Sequence, residues 1–110
     1  MKLKIDDSII MDLKIAKNMF SRMKGLMGKK EIDYAMYFYP CNAIHTFFMK
    51  IPIDVLYLDN CGNILSMDIN LKPWKIGKYH RKAKCVIELP SNSIQKYNIQ
   101  IGQMVSFYRE

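Results

Sequence analysis

Short stretches of apolar and β-branched residues, broken by prolines and by clusters of Asn, Asp and Gly, make up most of this chain. Leu3-Lys4-Ile5 and Ile9-Ile10-Met11-Asp12-Leu13-Lys14-Ile15 flank the polar turn Asp6-Asp7-Ser8, a layout that predicts an opening hairpin. A helix is predicted next. Asn18 suits an N-cap, Met19, Phe20, Met23, Leu26 and Met27 recur at helical spacing, and Gly28 suits a C-terminal stop. Gly25 inside it costs about 1 kcal/mol against alanine, which points to an early end or a close packing contact.

From Tyr34 onward the pattern is that of strands: Tyr34 to Tyr39, Ala43 to Met49, Ile53 to Leu58, Asn63 to Ile69, Lys84 to Leu89 and Met104 to Tyr108. Pro40, Pro52, Pro73 and Pro90 fall between these runs, where a missing N–H breaks no ladder. Asp59-Asn60-Cys61-Gly62-Asn63 between two apolar runs is a strong hairpin signal. Strands at this spacing, with one short helix near the N-terminus, predict a mainly-β fold, a compact β-sandwich or partly closed barrel. No repeat, low-complexity tract or linker divides the sequence, so a single domain over residues 1–110 is expected.

Charge changes the picture in one region. The net charge of +7 is uneven, and between Lys72 and Lys84 there are six basic residues and no acidic one. Such a patch attracts phosphates or an anionic surface. Fourteen of the 17 basic residues are lysine, which lacks the planar fork that reads bases bidentately, so specific nucleic-acid binding is not expected. The N-terminus lacks the apolar core of a secretory signal, and no run reaches the ~20 apolar residues that span a bilayer; the expected address is cytoplasmic, with no membrane segment. Cys41, Cys61 and Cys85 are widely spaced, without a Cys-x-x-Cys pair, so the expectation is three free thiols and no metal site, disulfide or cofactor.

Ala16, Arg22, Gly25-Leu26-Met27, Met36-Tyr37-Phe38, Phe47-Phe48-Met49-Lys50, Ile51-Pro52-Ile53-Asp54, Asp59 with Gly62, Pro73, Glu88-Leu89 and Gly102 form an ordered set spread over nearly the whole chain. In that order they resemble the family of domain of unknown function 192 (uncharacterised protein family 0127). The resemblance implies a compact sandwich or barrel of jelly-roll-like character with a short helix near the N-terminus, and it carries no established activity. Two departures, Ser91 where glycine is usual and Gln103 where aspartate is usual, touch local turns.

Four features carry candidate chemistry. Cys41 and His45 offer a thiol and an imidazole, but an extended chain between them would hold them roughly 13 Å apart, beyond hydrogen-bond or shared-metal range. Arg22 sits at the edge of the predicted helix's apolar face, with Asp54 and Glu88 as candidate carboxylate partners. Its structural reading is an internal ion pair, and its functional reading is anion or ligand binding. A strand over His45 to Lys50 would put His45, Phe47 and Met49 on one face and Thr46, Phe48 and Lys50 on the other, lining either core or a shallow pocket with Trp74. The long basic loop from Lys72 to Lys82 carries Trp74 and Tyr79, and aromatics among lysines suit stacking on a base or sugar ring.

These readings favour a noncatalytic binding or accessory module for an anionic or sugar-like ligand or a protein partner, with Arg22, His45, Lys50, Trp74 and Lys75 as ligand-binding candidates. The alternative is a small enzyme with His45 as general base, Asp54 or Glu88 orienting it and Arg22 or Lys50 stabilising an anion. A purely structural interaction module is the third reading.

Overall fold

The computed structural model describes residues 1–16 and 28–109. The predicted helix from Asn18 to Met27, and Arg22 with it, lies outside the described residues. The strands are β1 (Lys2–Ile5), β2 (Ser8–Ile15), β3 (Ala35–Phe38), β4 (Ile53–Leu58), β5 (Ile64–Leu71), β6 (Cys85–Pro90) and β7 (Val105–Tyr108). The helix that the structure describes, α1 (Ser93–Lys96), is near the C-terminal end rather than the N-terminus. It was not expected there, because four residues are too few to display a helical period.

All seven strands join one sheet in the order β5-β4-β6-β3-β2-β1-β7. This corrects the expected sandwich of two stacked sheets, and the sheet is not closed into a barrel, since β5 and β7 remain its edges. Neighbours are antiparallel except β2 and β3, which run parallel in the register Leu13↔Ala35 to Ile15↔Tyr37. The edges meet at one corner only, where Asn63 bridges Met104 and the Val105 N–H donates to the Gly62 carbonyl. Gly62 is required there, because a Cβ would come within 2.5 Å of the Val105 carbonyl oxygen.

The continuous apolar runs of β4 and β6 reflect burial on both faces. One face gathers Leu56, Leu58, Ile87 and Leu89 with Leu3 and Ile5 of β1, Val105 of β7, Ile94 of α1 and Ile99, so the sheet curls around this cluster. The other face carries Met36, Phe38, Ile53, Val55, Tyr57 and Val86, and it is covered by Tyr34, Ile44, Met49 and Ala83 from connecting segments. Loops thus do the work that a second sheet would do in a sandwich.

Residues 43–49 are not the predicted strand. Their ladder is a single bridge, His45↔Ile76, and the chain turns at Phe48, where φ is 67° and the Met49 N–H donates to the Thr46 carbonyl (3.2 Å). Ile44, Thr46 and Met49 are buried, His45 and Phe47 are half-buried, and Phe48 and Lys50 are exposed, so the expected partition of this segment between two faces does not hold. Apolar alternation marks a half-buried extended chain equally well whether or not a neighbour supplies a ladder.

Candidate functional site

Two loops meet over the second face, and Thr46 fastens them. Its hydroxyl donates to the Lys72 carbonyl (2.6 Å) and accepts from the Lys75 N–H (2.9 Å). Its backbone N–H donates to the Lys75 carbonyl (2.8 Å) and its carbonyl accepts from the Trp74 N–H (3.0 Å). Thr46 has no exposed surface, and these four bonds tie the two loops together. Below them the Gly77 N–H donates to the Ile44 carbonyl (2.9 Å). Gly77 runs so close to the core that a Cβ would lie 2.3 Å from the Tyr57 hydroxyl and 3.0 Å from Asp68 Oδ2.

This clamp displays a row of rings. His45 stacks on Phe47 (centroids 4.5 Å apart, planes at 26°), Phe47 lies 5.9 Å from Trp74 at 25°, and Trp74 meets Phe48 at 4.6 Å and 58°. Phe48 and Trp74 are 55% and 58% exposed, and Ile76 beside them is 73% exposed. Both exposed rings sit on left-handed backbone, at φ 67° and 64°. Asp6, Asn70, Asn92 and Asn98 also take positive φ, a conformation that Asn and Asp tolerate well, but an aromatic residue there is strained. Lys50, Lys72 and Lys75, within two residues of Phe48 or Trp74 in the sequence, are exposed, and residues 41–52 and 72–84 contain no acidic side chain.

His45 and Trp74 are thus linked through Phe47, with Phe48 against Trp74 and Ile76 bridged to His45, while Lys50 and Lys75 are exposed residues of the same two loops. His45 accepts the Phe47 N–H at Nδ1 (3.2 Å). Asp54 is elsewhere. It is fully buried on the opposite face of the sheet, where its two carboxylate oxygens accept the Asn70 and Ile94 N–H groups, each at 2.8 Å, so the pairing of His45 with Asp54 is not formed. Glu88 is buried in β6 between Met36 and Val55 of the neighbouring strands.

Burial raises the pKa of two tyrosines and a cysteine near the core. Burial, then hydrogen bonding to Asp68, raises the Tyr57 phenol, whose hydroxyl donates to Asp68 Oδ2 (2.7 Å). Burial pushes Tyr37 up to about 12, with the Cys85 thiol adding to the effect, and burial likewise raises Cys85. No disulfide joins Cys41, Cys61 and Cys85. Cys61 and Cys85 line a cavity of about 370 Å³ with Tyr37, Asp59 and Phe107, and Cys61 also borders a more open one of about 460 Å³ with Arg81, Lys82 and Lys84. Asp59 serves the hairpin itself. Its Oδ1 accepts the Cys61 and Asn63 N–H groups (both 2.9 Å), and the Asn63 amide foremost holds its carboxyl below the usual range. Among the described residues no group of three or more His, Cys, Asp or Glu side chains is placed to hold a metal ion, and no helix is long and apolar enough to cross a membrane.

A mainly-β chain folded as one curled sheet is the class that comparison with solved structures supports. A protein of unknown function from Novosphingobium aromaticivorans DSM 12444 superposes with a TM-score of 0.83 over 96% of this chain and 84% of its own, at 16% identity. The family model DUF192, described as an uncharacterized ACR, matches residues 1–107, and the chain belongs to that family. A UPF0127 protein of Thermococcus sibiricus is 34% identical over 86% of this chain, which covers 65% of that relative's length. One from Pyrococcus furiosus is 26% identical over 92% of this chain and 90% of its own.

Proposed function

We propose that this protein is a noncatalytic binding module, that residues 1–110 act as one domain, and that the row formed by Phe48, Trp74 and Ile76 with Lys50, Lys72 and Lys75 is its binding surface for an anionic ligand with an apolar or ring-bearing face. The observation that carries the reading is the strained display of Phe48 and Trp74. Two large aromatics left more than half exposed on strained backbone at φ 67° and 64° are a combination that suits a surface kept for contact rather than for folding alone. Their fixation through buried Thr46 supports it, since a preorganised surface loses less entropy on binding. Lysines on both sides, without acids in either loop, favour an anionic partner.

A thermal-shift screen against sugar phosphates, nucleotides and inositol phosphates tests this. A ligand at about 100 times its dissociation constant adds roughly 2.7 kcal/mol, enough to raise the midpoint by several degrees in a domain of this size. Trp74→Ala should abolish the shift. Shifts that survive both Trp74→Ala and Lys75→Ser would place binding elsewhere and refute the assignment.

A further inference from the structure

We propose that the ligand of this surface is an anionic lipid bilayer, with Phe48, Trp74 and Ile76 entering the interfacial layer and Lys50, Lys72 and Lys75 lying against the headgroups. The inference rests on the binding-module reading above and commits it to one partner. Ile76 decides between the chemistries. Among the described residues it is the most exposed large hydrophobic side chain, at 73%, and it sits two residues from Trp74 on the same clamped loop. An aliphatic side chain has no π face, so it adds nothing to stacking on a base or a sugar, but it gains from entering the headgroup and acyl boundary. Tryptophan and phenylalanine are suited to the same layer.

The cations agree. Lysine stems lie along apolar surface while their ammonium groups reach phosphate, and five of the six basic residues from Lys72 to Lys84 are lysine rather than the arginine favoured for bidentate reading of bases. Thr46 keeps the two loops in fixed relation, and Ile76 is bridged to His45 in the same ring row.

Trp74 is the only tryptophan in the chain and reports directly on the contact. The full chain is titrated with phosphatidylcholine vesicles containing phosphatidylserine, and with phosphatidylcholine vesicles alone. We expect a blue shift of emission with the anionic vesicles only, quenching by lipids brominated on the acyl chain, and weakening as salt is raised. Ile76→Ser and Lys75→Ser, both at exposed positions, should lower vesicle affinity by about tenfold and about fivefold respectively, with unchanged thermal midpoints. Equal binding to neutral vesicles, or anionic binding without quenching by the brominated lipids, overturns the proposal. Inositol hexakisphosphate and a single-stranded oligothymidylate serve as soluble probes. If either perturbs Trp74 while vesicles do not, the bilayer assignment fails and the binding surface stands; if none of the three does, both fail.

Discussion

Phe48 and Trp74 set the terms at the scale of the residue. An aromatic residue at positive φ costs on the order of 1 kcal/mol or more, whereas glycine takes that conformation without steric penalty. Phe48→Gly should therefore leave the urea midpoint unchanged or raise it, by up to about 1 kcal/mol of stability, although a large side chain is removed. A loss above about 1 kcal/mol would mean that Phe48 is a folding residue. The buried phenols make a second claim. A tyrosine ionises near pH ~10 in the unfolded chain, while Tyr37 folded holds its proton to about 12. Between those values the unfolded state binds fewer protons, so the stability contributed is whole below about pH 10 and disappears as pH rises through the folded value. Tyr57 is shifted in the same direction. Denaturant midpoints taken from pH 8 to 12 should fall at the alkaline end, and less steeply in Tyr57→Phe than in the parent.

Elements in this protein are fastened by side chains from other elements. Helix α1 begins after Asn92, which takes left-handed backbone and makes no side-chain cap, and Asp54 of β4 supplies the acceptor for the Ile94 N–H in its first turn. The same carboxylate holds the Asn70 N–H in the irregular register between β4 and β5, where Asn70 has φ 53°. Such irregularities free a backbone group from the ladder, and Asp54 satisfies it. Asp54→Asn retains one acceptor oxygen and turns an amide NH2 toward a backbone donor. We expect a loss of at least about 2 kcal/mol in chemical unfolding, with faster hydrogen exchange at Ile94 or Asn70. The two departures from the family pattern also have local partners. The Ser91 hydroxyl donates to Asn70 Oδ1 (2.6 Å), and Gln103 Oε1 accepts the Gln100 N–H (2.8 Å) while its amide reaches Asp6.

For the whole molecule, the consequence of a single sheet with apolar clusters on both faces is that β4 and β6 join the two. Leu56 and Ile87 contribute to one cluster, Val55 and Val86 to the other. Opening either face therefore disrupts these strands, and their amides should exchange only by global unfolding, while the edges β5 and β7 exchange earlier. Native-state exchange checks this, and protection in β4 no greater than in β7 would contradict it.

Much of this was legible in the order of residues. β4 was read at Ile53 to Leu58 and observed there, and β3, β5, β6 and β7 lie within two residues of their expected bounds. Strand character follows from a period of two and from proline placement, which are local properties, and the family followed from motifs that keep their order along the chain. The surroundings of Trp74 and Lys75 were partly legible as aromatics among lysines. Three things were decided only in three dimensions. One sheet formed in place of two because ladder partners depend on register between distant segments, which alternation does not encode. Residues 43–49 stayed outside the ladder because their backbone partners are loop carbonyls and amides around Thr46. Phe48 came to meet Trp74, and Asp54 to turn away from His45, because each depends on which face of the sheet a loop crosses, a choice made by packing the whole core.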